Sequence, residues 1–198
     1  MHIEKELLLT CGGKLKTFHK NELIFTEGQE ARFFFQIAEG AVRMYNVNDS
    51  AGKEFTQGMF SNDCSFGDAA LVIGETYPAN AIALQDTAII MVPRENFIQL
   101  LHDHSEIHFR FTQLMAYRLW DKYMTFKELM SNTPTTRILG FLKSLKKKYR
   151  SNDEKILIPY TRQEIADFTG LRVETAIRTL NKLKKENVVE IINRKLYY

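Results

Sequence analysis

Hydrophobic and polar positions divide the chain into a region of short alternating runs and a region of helical repeats. From about Lys14 to Pro93, β-branched and aromatic runs are separated by turn residues; the runs cover residues 23–25, 33–38, 41–47, 53–57, 80–84 and 87–92. Gly28, Gly40 and Gly52 recur at intervals of twelve. Strands of this length and spacing predict a sandwich or jelly-roll-like β-roll (a double-stranded β-helix) rather than a helical or parallel-sheet domain. The run Gly67 to Gly74, GDAALVIG, breaks that rhythm and predicts one short helix inserted in the roll, a candidate cradle for a ligand.

Past Pro93 the period becomes helical. Residues 96–101 form a short amphipathic stretch and residues 102–105 a break, after which residues 106–130 run without Gly or Pro, with Ser105 as the expected cap. Ile107, Phe111, Leu114, Met115, Leu119, Tyr123, Phe126 and Met130 make an apolar face wider than one roll needs. That width predicts a seam against a second copy of the chain; the alternative is a helix lying wholly on its own roll. Ser131-Asn132-Thr133-Pro134 ends the helix and starts another, with Thr133 capping and Pro134 at the first helical position. The expected organisation is α+β: a roll over 1–104, a dimerisation helix and hinge over 105–132, and a third domain over 133–198. Residues 138–149 form an amphipathic helix closing on Lys146, Lys147 and Lys148, which suits both the helix dipole and a nearby phosphate backbone.

The third domain carries the most specific local pattern. Thr161 is followed three residues later by Glu164, the spacing of a capping box, and the helix so started stops at Thr169-Gly170. In the next helix Ala176, Leu180 and Leu183 point one way, while Val173, Glu174, Ile177 and Arg178 point the other. Two short helices joined by a glycine turn are a helix-turn-helix. Its outer row has base-reading chemistry: Arg178 matches guanine O6 and N7, Glu174 accepts from cytosine N4, and Val173 or Ile177 contacts a thymine methyl. The bland alternative is a solvated pair between Glu174 and Arg178. Asn187 stands at the left-handed turn after this helix, and residues 188–192 and 196–198 read as two strands around Asn193-Arg194-Lys195, a basic-tipped wing.

Charge sharpens the division. Residues 1–130 hold 12 Lys and Arg against 17 Asp and Glu, whereas residues 131–198 hold 15 against 7, so a net of +3 conceals −5 and +8. The basic third is expected to meet a polyanion. The N-terminal stretch lacks a secretory apolar core and no run approaches membrane-spanning length, which predicts a cytoplasmic protein. Cys11 and Cys64 are too few for a disulfide framework or a four-cysteine metal site. No catalytic triad, phosphate loop or metal constellation stands out, so neither an enzyme nor a cofactor is expected. His104 and His108 read as exposed residues around a helix start rather than as ligands.

The order of roll, long helix, hinge and winged helix-turn-helix resembles the Crp/Fnr family of bacterial transcription regulators over nearly the whole chain. The specific matches are Phe66-Gly67-Asp68 for the family's Phe-Gly-Glu, then Ala83-Leu84-Gln85-Asp86, and the stretch from Gly170 to Arg178, where Glu174 and Arg178 fall at the two main base-reading positions and Val173 follows the Fnr branch. The resemblance implies homodimers on palindromic double-stranded DNA with TGA-like half-sites, contact with RNA polymerase, and an effector acting through the roll. On that reading Arg162, Arg172, Lys182, Lys185 and Arg194 join the reading row at the DNA, and Phe66, Gly67, Asp68, Tyr77, Pro78, Ala79 and Tyr123 outline an effector pocket. Three departures matter. Tyr77-Pro78 replace the Arg-Ser that clamps a cyclic phosphate, and residues 54–93 hold five acids and no cation, so a buried phosphate would lack its partner and the effector is expected not to be cyclic AMP. The two cysteines cannot supply an Fnr-type iron–sulfur cluster. Arg172 replaces the family's capping Ser or Thr, which costs the free helix a cap and predicts a DNA contact. The competing expectation is a ligand-binding or protein-interaction module that has lost DNA reading.

Overall fold

The structure is a computed structural model that describes residues 2–48, 53–129, 133–148 and 155–198. Gly52, Met130, Ser131, Asn132 and Tyr149, with the side chains of Lys147 and Lys148, lie outside the described residues. The chain forms two units, Met1–Arg118 and Leu119–Tyr198.

In the first unit, α1 (Lys5–Thr10) precedes eight strands, β1 (Lys14–Phe18), β2 (Leu23–Phe25), β3 (Phe33–Glu39), β4 (Ala41–Asn48), β5 (Lys53–Ser61), β6 (Ser65–Phe66), β7 (Asn80–Ala83) and β8 (Thr87–Pro93), with α2 (Asp68–Ile73) between β6 and β7. Two four-stranded antiparallel sheets, in the orders β1-β8-β3-β6 and β2-β7-β4-β5, make the expected roll. Successive strands change sheet along the chain except at the β4–β5 hairpin, which stays within the second sheet. Strand β3 is buried on both faces from Phe34 to Ile37. Inside, Phe35 stacks on Phe66 with ring centres 5.2 Å apart; outside, Phe34 stacks on Phe97 at 4.0 Å. Phe97 belongs to α3 (Arg94–Asp103), which covers that outer face. Double burial explains the unbroken FFQI run from Phe34 to Ile37, and each phenylalanine so placed contributes about 1.5–3 kcal/mol. Gln36, the polar member, is satisfied by the backbone of Ile3, donating to its carbonyl at 2.7 Å and accepting from its amide at 3.0 Å.

Helix α4 (Ser105–Leu129) opens differently from expectation. Ser105 lies inside the helix rather than capping it, and only His104 separates α3 from α4, because Ile107 and His108 both donate to the His104 carbonyl. With no Gly or Pro at 102–105, nothing enforces a longer break. Ile107, Phe111 and Met115 pack on the roll core, whereas Phe109, Tyr117, Leu119, Trp120, Tyr123 and Phe126 are exposed. The predicted single stripe is therefore divided between an inner face and an open one.

The second unit contains α5 (Pro134–Lys148), β9 (Leu157–Ile158), α6 (Arg162–Thr169), α7 (Val173–Lys185), β10 (Glu190–Ile192) and β11 (Lys195–Tyr197). Thr133 caps α5 as expected, its hydroxyl accepting from the Thr136 amide at 3.2 Å. Ile138, Leu142, Ile165, Ala166, Ala176, Leu180 and Leu183 close one core between the three helices. The wing has a third strand that the sequence reading did not include: β9 pairs with β11 through Ile158 and Leu196. Two residues are too short to announce a strand by alternation.

Candidate nucleic-acid interface and roll cradle

Helix α6 begins on a complete capping box. The Thr161 hydroxyl accepts from the Glu164 amide at 3.2 Å, and the Glu164 carboxylate accepts from the Thr161 amide at 2.6 Å. Gly170 ends the helix at φ 65°, a conformation that costs a residue with a side chain far more. Ala166 is fully buried at the crossing, so α6 and α7 pack closely. These constraints fix which way α7 faces. Ala176, Leu180 and Leu183 are buried, while Glu174, Ile177 and Arg178 are exposed and Val173 is half-buried. Ile177 is 42% exposed on this outward face.

Around this row, Arg162 opens α6, Lys182 and Lys185 stand in the last turns of α7, and Arg194 tips the wing. Lys182 lies 3.8 Å from Glu186, an exposed pair that competes little with a phosphate. Asn187 has φ 56°, the left-handed turn expected after α7. Lys146 sits over the Tyr198 ring at 5.8 Å.

Arg172 occupies the N-cap of α7 with extended backbone and no side-chain cap bond. A missing cap costs about 1 kcal/mol, and a cation beside the positive end of a helix adds to that. Arg172→Ser is expected to raise the urea midpoint of the free protein and to weaken its DNA affinity; unchanged affinity would leave Arg172 with no role at the DNA.

The roll cradle differs from its sequence-based outline. Residues 54–93 supply no cation, yet one reaches Asp68 from α4: Arg118 donates to the Asp68 carboxylate and to the Ser65 carbonyl and hydroxyl. The Ser65 hydroxyl donates to the other Asp68 oxygen at 2.7 Å. Both oxygens of this buried carboxylate are thus engaged. The rest of the outline is packed with aromatic rings. Tyr77 stacks on Phe25 with centres 3.7 Å apart, Phe66 and Ala79 are buried, and a Cβ at Gly67 would lie 3.1 Å from the Tyr77 ring. Burial pushes the Tyr77 hydroxyl up to about 12. Pro78 is exposed, its carbonyl accepting from the Asn46 amide at 2.6 Å, and Tyr123 is 66% exposed on α4. Arg118 was the residue missed, and a signal existed: it lies four residues beyond Leu114 and three beyond Met115, on the stripe that α4 turns inward. The residues present do not fit a cyclic nucleotide held through the usual phosphate clamp.

Residues 15–104 match the family model for the cyclic nucleotide-binding domain, and residues 136–197 match that for the Crp-like helix-turn-helix domain. A roll of the first kind followed by a reading domain of the second defines a DNA-binding transcription regulator with an effector-type domain. The chain belongs to the Crp/Fnr family. It is 24% identical over 181 residues to the transcriptional activator protein anr of Pseudomonas aeruginosa, covering 90% of this chain and 73% of that one. It is 25% identical over 187 residues to the global nitrogen regulator of Synechocystis, covering 92% and 83%. Among solved structures, the c-di-GMP responsive global regulator CLP of Xanthomonas campestris shares the fold with a TM-score of 0.78 at 20% identity, over 97% of this chain and 98% of that one. Among the described residues no helix is long and apolar enough to cross a membrane.

Proposed function

We propose that the protein is a homodimeric regulator that reads palindromic DNA with TGA-like half-sites and is not controlled by cyclic AMP. The outward row of Val173, Glu174, Ile177 and Arg178, opposite a buried Ala176, Leu180 and Leu183, carries this reading. The row combines a bidentate donor, an acceptor and two methyl-bearing side chains, the set needed to distinguish base pairs in the major groove. The exposed aromatic and aliphatic face of α4, including Phe109, Leu119, Tyr123 and Phe126, supports a seam between two copies. The filled cradle supports an effector of other chemistry, or none. Contact with RNA polymerase belongs to the same reading, as does a cytoplasmic location.

Selection of binding sites from random duplex DNA with the purified protein tests it. The expected outcome is a palindrome with TGA-like half-sites about 10–11 bp apart. Absence of enrichment, both alone and with cell extract added, would favour a module that no longer reads DNA. On the selected site Arg178→Ala is expected to reduce base discrimination by roughly 1–3 kcal/mol while leaving affinity for random DNA nearly unchanged, and competition binding measures both. An equal loss on the two DNAs would remove Arg178 from the reading row.

A further inference from the structure

Arg118 joins α4 to several groups of the roll at once. Its guanidinium donates to the Asp68 carboxylate at the start of α2 and to the carbonyl and hydroxyl of Ser65 in β6, and it lies 5.8 Å from the centre of the Phe60 ring in β5. Ile107, Phe111 and Met115, on the same stripe, also hold α4 to the roll, but apolar contacts have no direction and let a helix slide or turn. A planar fork with fixed acceptors does not. The neighbours of Arg118 in sequence, Tyr117 and Leu119, are 50% and 61% exposed. The residue that fixes the rotation of α4 on the roll therefore also fixes where the open face of the helix points.

The groups that line the cradle have their polar atoms engaged within the roll. The two oxygens of Asp68 are taken by Arg118 and by the Ser65 hydroxyl. The Tyr77 amide donates to the Gln29 carbonyl at 2.9 Å, and the Tyr77 carbonyl accepts from the Gly28 amide at 2.9 Å. The Pro78 carbonyl accepts from the Asn46 amide, and the Asn46 side-chain oxygen accepts from Gln57 at 2.9 Å. A ligand entering here would have to break these bonds and part the stacked Tyr77 and Phe25 rings before making any contact of its own.

We infer that Arg118 is a built-in substitute for an effector: it holds α4 on a closed roll in the orientation that the dimer seam requires, so DNA reading needs no small molecule. The inference rests on the dimeric DNA-reading function proposed above and specifies how that function is regulated. Separating the pair would strand the Asp68 carboxylate, whose side chain is 2% exposed, without a cation. The tether is therefore permanent rather than conditional.

The purified protein, denatured and examined by mass spectrometry, is expected to release no small molecule in stoichiometric amount, and to bind its selected palindrome equally well with and without the small-molecule fraction of a cell extract. Release of one compound per chain, or a rise in affinity with that fraction, would overturn the inference. Arg118→Gln is expected to raise the dimer dissociation constant, measured by sedimentation equilibrium, by about 5- to 150-fold, the usual range of a coupling between sites. Palindrome affinity should fall with it, while affinity for an isolated half-site stays unchanged. Arg118→Lys keeps the charge but presents a point rather than a fork, so it should lie between wild type and the glutamine variant, and it serves if that variant does not fold. A folded variant that dimerises and binds the palindrome like wild type would reduce Arg118 to a stabilising contact and remove the tether. A dimeric wild type that binds no DNA would remove the reading function and leave the dimer dissociation constants to decide the tether; a monomeric wild type would overturn the tether itself.

Discussion

Arg118→Ala is expected to destabilise the N-terminal unit by about 3–5 kcal/mol, because it leaves the Asp68 carboxylate buried without its cation. The two sides of this pair differ. The Asp68 side chain is 2% exposed and cannot reach water, whereas that of Arg118 is 28% exposed and can turn towards it. Asp68→Asn should therefore cost less, about 1–3 kcal/mol, since an amide still accepts from Ser65 and the freed guanidinium finds solvent. Urea unfolding of both variants, followed by circular dichroism, measures the difference. Equal losses would show that the pair is held by its packing rather than by the burial of one charge.

Leu180→Ala is expected to destabilise the other unit by about 2–5 kcal/mol through the lost methyl groups and the cavity left between α5, α6 and α7. Its side chain is fully buried in a core that contains no residue of the roll. Calorimetry should then show one transition moving down while the other stays in place, the reverse of the result for Arg118→Ala. A single transition shifted as a whole would indicate that the two units unfold together.

The helix-turn-helix was legible because its determinants are local. Thr161, Glu164 and Gly170 act within a few residues of themselves, and a period of 3.6 separates Ala176 and Leu180 from Ile177 and Arg178 wherever the helix packs. The roll was legible as an architecture for the same reason, through its alternation and glycine spacing. What sequence could not supply was pairing at a distance. Asp68 and Arg118 are fifty residues apart, and their union turns an apparently uncompensated acid into a satisfied one. The acid count over 54–93 was correct, but the cation lay outside the window. Strand β9 failed for a related reason: Leu157 and Ile158 become a strand only because β11 returns beside them. Helix α4 shows a third limit, since apolar periodicity does not distinguish Phe111, which is buried, from Phe126, which is exposed.

The pairing of β1 with β8 also bears on synthesis at the ribosome. Lys14 finds its partner in Met91 and Phe18 in Thr87, so the first strand emerges long before the strand that completes its sheet. During that interval its open edge and the phenylalanines of β3 are available to other nascent chains. The helix-turn-helix has no such delay: α6 and α7 are consecutive and fold from neighbouring contacts, the kind that form fastest. Crowded translation therefore threatens the roll first, and the aromatic packing that fills its interior is also what the unfinished chain leaves exposed.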